Sequence, residues 1–130
     1  MATPIDKQQD LENYFAVART FGPFFVPFEK KFSYDEFKLA VSDRATSIYP
    51  LVEPIPARIV YLRAITYETE KPSPGDSMIP YPNVLMAVVD GLVSAGVLYD
   101  RKQVYGLWGF RDYMPDLPSD VMIVQVAWGP

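Results

Sequence analysis

The 130-residue chain contains no cysteine and no histidine. Their absence removes disulfides, thiol nucleophiles, thiolate zinc sites, Ser-His-Asp triads and imidazole acid–base chemistry together. Carboxylates holding Mg²⁺ or Mn²⁺ remain the simplest route to catalysis. A chain without thiols says little about redox compartment. No apolar run approaches the roughly 20 residues that span a bilayer. The opening MATPIDKQQD has neither a basic n-region nor an apolar h-region, so no signal peptide is expected there and a soluble, cytoplasmic protein is. Basic charge is thin as well. The formal net charge is −4, and Lys30-Lys31 and Arg101-Lys102 are the adjacent basic pairs among twelve scattered Lys and Arg. Nucleic-acid binders usually carry a basic stripe that displaces counterions from phosphates, so composition leans against DNA without excluding it. No internal repeat or low-complexity tract is visible.

What is present is apolar and aromatic. Hydrophobic residues make up 49% of the chain and aromatics 15%, enough for one sizeable core and one domain. Residues 6–20 place Leu11, Phe15 and Ala18 on one helical stripe, and Gly22-Pro23 then reads as a break. FFVPF at 24–28 reads as an edge strand at best because of Pro27. Ser33-Tyr34-Asp35-Glu36 fits a capping box with Phe32 and Phe37 as the hydrophobic staple. The helix it opens should run to about Ile48, burying Phe37, Val41, Ala45 and Ile48, and end at Pro50. Residues 57–69 read as a strand. The Pro-rich stretch 71–82 cannot be regular structure. A nearly all-apolar, buried helix follows, with Asn83 as N-cap and Gly96 just past its end. Two strands close the chain, QVYGLWGFRDY and DVMIVQVAW. The order implies an α+β fold: an α/β-type mixed sheet of about four strands with helices packed on it.

The segment from Asn83 to Val104 resembles the RusA family of phage-type Holliday-junction resolvases. Asn83, Ala87, Val88, Asp90, Leu92, Ala95, Gly96, Val97, Asp100, Gln103 and Val104 match the family pattern without a gap. The element order also agrees, so the resemblance implies a RusA-like domain over 23–130, preceded by a helical extension over 1–22. It also implies a homodimer, a phage or prophage origin and residence in a bacterial host's cytoplasm. Family members cut four-way DNA junctions with Mg²⁺, held by two Asp before the helix and one after it. Those positions fall here on Pro80, Pro82 and Arg101, and the family's helix Lys falls on Met86. Proline cannot ligate a metal, and Arg101 sets a positive charge where the cation would sit. The resemblance therefore carries the fold and argues against the activity: no catalytic residue and no cofactor is expected, with Mg²⁺ required only if the chain is active.

Several side chains keep a functional reading beside a structural one. Asp100, Glu68, Glu70 and Asp76 would form a relocated metal site if at least three converged; a solvated strand end, a polar loop and a turn acid are the ordinary alternative. Asp90, on an apolar helix, needs a partner, from Arg63 or Arg101. Tyr99, Tyr105, Trp108, Phe110 and Tyr113 have the chemistry to stack bases, but core or dimer packing is the expected use. Lys30, Lys31, Arg101 and Lys102 are candidate phosphate contacts, and Gly106 and Gly109 suggest a bulge or close backbone approach. The first expectation is an inactive resolvase-like module that binds, inhibits or regulates a protein partner. A Mg²⁺-dependent junction endonuclease and a non-cleaving DNA-structure binder are the alternatives.

Overall fold

A computed structural model describes residues 4–48 and 53–129, the first five of them as backbone alone. The elements run α1 (Pro4–Val17), β1 (Arg19–Pro27), α2 (Tyr34–Ile48), β2 (Val60–Glu68), α3 (Tyr81–Ser94), β3 (Val104–Tyr113) and β4 (Val121–Trp128), with a 3-10 turn over Arg101–Gln103. The expected mixed α+β class and four-stranded sheet are present, in strand order β1-β4-β2-β3. β4 is antiparallel to both its neighbours, while β2 and β3 are parallel and joined through α3.

Alternation along the strands builds the core. Val60, Leu62, Ala64, Thr66 and Glu68 point to one face and are all fully buried. With Met122, Val124 and Val126 of β4 and Phe24 and Val26 of β1, they meet Phe37, Val41 and Ala45 of α2 and Val84, Val88 and Leu92 of α3. The two helices approach closely at Gly91, where an added Cβ would lie 2.7 Å from the Lys38 carbonyl oxygen and 2.8 Å from Val41 Cβ.

Local signals explain most of the helix ends. The Glu36 amide donates to Ser33 Oγ at 3.2 Å and the Ser33 amide to Glu36 Oε1 at 3.0 Å, a complete capping box. Phe32 packs edge-on against Phe37 as the staple. Ile48 was expected in the core but is 42% exposed, because it borders an open cavity shared with Phe21, Phe24 and Trp128 at the end of the sheet; Pro50 lies outside the described residues. α3 begins at Tyr81 with Pro80 as its N-cap residue, not at Asn83. A proline in the first helical turn costs nothing, since the amide it lacks has no intrahelical partner there, so Pro82 sits inside the helix and Asn83 in its first turn. At the other end Gly96 takes φ +81°, and the Gly96 and Val97 amides donate to the Val93 and Leu92 carbonyls in a Schellman closure.

The N-terminal region departs most from expectation. α1 ends at Val17, and β1 starts at Arg19 and runs through Gly22-Pro23 to Pro27. The boundary drawn between residues 22 and 23 thus falls inside a strand. A bulge between Phe21 and Phe24 absorbs the irregular residues while pairing with β4 continues on both sides. Gly22 is required there: its φ is +90°, and a Cβ would sit 2.8 Å from the Val124 carbonyl oxygen. β1 is an edge strand, as Pro27 implied. α1 lies on the opposite sheet face from α2 and α3, with Leu11 and Phe15 packed on Ala127, Tyr61 and Trp108. No helix among the described residues is long and apolar enough to cross a membrane.

Candidate functional site

The segment that carries the family resemblance is held by its own polar side chains. Asp90, mid-way along α3, receives Arg101 in a two-pronged pair at 2.7 and 2.8 Å and the hydroxyl of Tyr34 from α2. Burial alone would raise the Asp90 carboxyl, but the bonds from Arg101 and Tyr34 and the Arg101 charge outweigh it and hold its pKa below the usual carboxylate value. Burial, and then the bond to Asp90, push the Tyr34 hydroxyl up to about 12. Of the two partners considered for Asp90, Arg101 is the one used. Arg63 instead bonds Glu12 at 2.9 Å and Gln125 at 3.0 Å and lies over the Phe15 ring, fastening α1.

Asp100 caps the 3-10 turn through the Lys102 amide, and Gln103 completes that cap from the far side. The Gln103 amide group also donates to the Ile55 and Ala57 carbonyls at 3.0 and 2.7 Å, tying the approach to β2 to the start of β3. Asp90, Gly96, Asp100 and Gln103 therefore all have structural work in the fold. Pro80 and Pro82 stand at the start of α3, whereas Arg101 reaches Asp90 ten residues further along, roughly 15 Å at the helical rise. Pro80 and Pro82 therefore stand apart from the Asp90–Arg101 pair.

The four acids of the relocated metal site are divided between two ends of the sheet. Glu68, at the end of β2, pairs in register with Tyr113, the last residue of β3, while Asp100 precedes the first. The length of β3, on the order of 30 Å, separates them. Glu68 and Asp76 do come together, but around cations. Arg111 grips both Glu68 oxygens at 2.6 and 2.8 Å and reaches Asp76 at 3.1 Å, and Lys30 lies 3.6 Å from each acid. The Arg111 bond, opposed by partial burial and helped by Lys30, lowers the Asp76 pKa, and the Glu68 bond raises that of Arg111. Two cations neutralise two carboxylates, one of them fully buried. Glu70 is exposed beyond the strand, and among the described residues no three acids are grouped to hold a metal ion.

The candidate phosphate contacts are divided in the same way. Lys30 belongs to the Glu68 cluster and Lys31 pairs with Glu29, while Arg101 and Lys102 lie at the far end of β3. They form no common patch. Sequence reasoning missed Arg111, Tyr34 and the Lys30–Glu68 contact. A usable signal existed only for Arg111, which alternates with Leu107 and Gly109 on the face that meets α3.

Core or dimer packing was expected of the late aromatics, and within the chain the core part holds for one of the five. Tyr99, Tyr105, Phe110 and Tyr113 are exposed, and only Trp108 packs well, stacked on Tyr61 at 5.7 Å under α1. Gly106 is crowded by those same two rings and Gly109 by Leu85 and Tyr81, and a bulge in the β2–β3 register sits at Tyr105, as the glycines suggested. On this face, cross-strand register sets Phe25, Ile123, Ile65 and Phe110 in one row over all four strands. Among the described residues none of the four belongs to a core cluster; Phe25 is 55% exposed and Phe110 38%, while Ile65 and Ile123 are half-buried. No protein-family model matches the sequence, and no curated protein matches it. The site has to be read from its geometry, which offers neutralised acids on one face and an uncovered apolar row on the other.

Proposed function

We propose that the chain is a non-catalytic binding module for a protein partner, built on a resolvase-like framework of phage or prophage origin. The observation that carries this reading is the row Phe25–Ile123–Ile65–Phe110, an apolar strip with half-exposed aromatic ends on the sheet face that α1 leaves open. Contiguous exposed apolar surface of this kind marks interaction sites, and aromatic side chains supply most of their binding energy. The occupied acids support the same reading. Glu68 and Asp76 already spend their lone pairs on Arg111 and Lys30, so catalysis would first have to break a buried network. Acidic net charge and divided basic pairs give a phosphate backbone little to hold.

The test mixes the purified chain with a synthetic four-way junction, with and without Mg²⁺ and Mn²⁺, at low and moderate salt. Neither binding nor cutting is expected. Metal-dependent cutting would overturn the proposal in favour of a junction endonuclease. Binding that weakens steeply with salt, without cutting, would replace it with a DNA-structure binder. On the positive side, a protein captured from host extract by the wild type should be lost by Phe25→Ser with Phe110→Ser and retained by Leu39→Ser, an equally exposed apolar site on α2.

A further inference from the structure

Where α1 crosses the outer face, it does not close over the aromatic rings beneath it. Asp10, Leu11 and Tyr14 of the helix, with Tyr61 of β2 and Trp108 of β3, line a cavity of about 360 Å³. That volume falls within the roughly 300–1,000 Å³ of small-molecule sites. Tyr61 and Trp108 lie nearly parallel, 27° apart with ring centroids at 5.7 Å, and Tyr14 stands at 69° to Tyr61 with centroids at 4.9 Å. Two rings make a floor and the third a wall. The rings are held in place. The Tyr14 hydroxyl donates to the Gly129 carbonyl at 3.2 Å. The Trp108 indole lies over Gly106, where an added Cβ would sit 2.4 Å from the indole and 2.7 Å from the Tyr61 ring. Glycine at that position lets Trp108 lie down against Tyr61.

We propose that this corner binds a quaternary ammonium group, of the kind carried by choline or by a trimethyllysine side chain. Such a group has no N–H to donate, so it is held by the negative faces of aromatic rings and by a nearby carboxylate. The cavity supplies both, with three rings and with Asp10 exposed at its rim. Among the side chains described, no Lys or Arg lines it, so an anion would meet no countercharge. A neutral apolar guest would make no use of Asp10. Arg63, two residues along β2 from Tyr61, is turned elsewhere: it bonds Glu12 and Gln125 and lies 4.4 Å from the centroid of Phe15. That contact is also a precedent, since α1 already seats one cation on an aromatic face. The net charge of −4 adds a general attraction for cations. The site shares no residue with the row Phe25–Ile123–Ile65–Phe110 and goes beyond the protein-binding reading, so either can fail without the other.

The experiment uses the full chain and follows the indole N–H resonances of its two tryptophans by NMR while choline is added. The Trp108 signal should shift and the Trp128 signal should stay. The neutral tert-butyl analogue of choline, which keeps the shape and loses the charge, should bind about tenfold more weakly. Asp10→Asn, an exposed change outside the core, should weaken choline binding roughly threefold. Trp108→Leu should weaken it about tenfold, with the circular dichroism spectrum as the check on folding. A short peptide carrying trimethyllysine separates the two sources. Binding tighter than choline, and lost with unmodified lysine, assigns the group to a protein side chain; binding weaker than choline assigns it to a free small molecule. Equal binding of choline and its neutral analogue, or a Trp108 signal that neither choline nor the peptide moves, would overturn the site.

Discussion

The two faces of the sheet obey different rules. The inner face is closed by α2 and α3, and its strand residues alternate without a break down to a buried glutamate. The outer face is covered by α1 over Tyr61, Trp108 and Ala127 and then left open. Charge follows the same division. On the inner face, Glu68 and its two cations form a compact network, whereas on the outer face Arg63 serves to fasten a helix. Stability is concentrated where burial is complete, and recognition is left to the surface that burial does not reach.

The sharpest way to break this contrast is Arg111→Ala. It leaves Glu68 buried with only Lys30 nearby and should cost about 3–5 kcal/mol, read from the urea midpoint at pH 7. A loss under about 1 kcal/mol would mean that the network contributes little. Phe15→Ala on the outer face removes a ring only 5% exposed but should act locally. Limited proteolysis should cut within α1 while amide protection in β2 and β4 persists; loss of protection throughout would show that both faces unfold as one unit.

Smaller effects come from titration. Tyr34 has a pKa raised to about 12, so its contribution is full below about pH 10, the value for the unfolded chain, and is lost as pH rises through 12. Tyr34→Phe should flatten the stability profile across that window and nowhere else. Asp76 and Asp90 are shifted the other way; their contributions hold above about pH 4 and fade as acid protonates them. Last comes Phe25→Ser, which should change stability by less than about 0.5 kcal/mol. A larger loss would place Phe25 in the fold and weaken the case for the open row.

Much of the fold was legible because its signals are local. The capping box at Ser33 and Glu36 spans four residues, Gly96 follows the helix it ends, and Asp90 finds Arg101 eleven residues on. What was not legible depends on distance along the chain or on a locally ambiguous residue. Arg111 meets Glu68 43 residues away, and Gln103 meets Ile55 across 48; neither pairing exists until strand register is known. Pro82 and Gly22-Pro23 were read as breaks, yet one sits in a helical turn that tolerates proline and the other inside a bulge. Of the relocated acid cluster, only Glu68 with Asp76 came together, because spacing along the sequence carries no information about which end of a sheet a residue occupies.

Strand order has a consequence for how the molecule is made. β4 is the last strand in sequence and lies between β1 and β2, bonded to both. During synthesis, β1 must wait about a hundred residues for its only neighbour, while β2, α3 and β3 can assemble first. Pro23 and Pro27 of β1 are therefore useful early, as protection for a strand that emerges long before anything arrives to pair with it. A nascent chain stopped short of Val121 would hold two halves of a sheet with no seam between them.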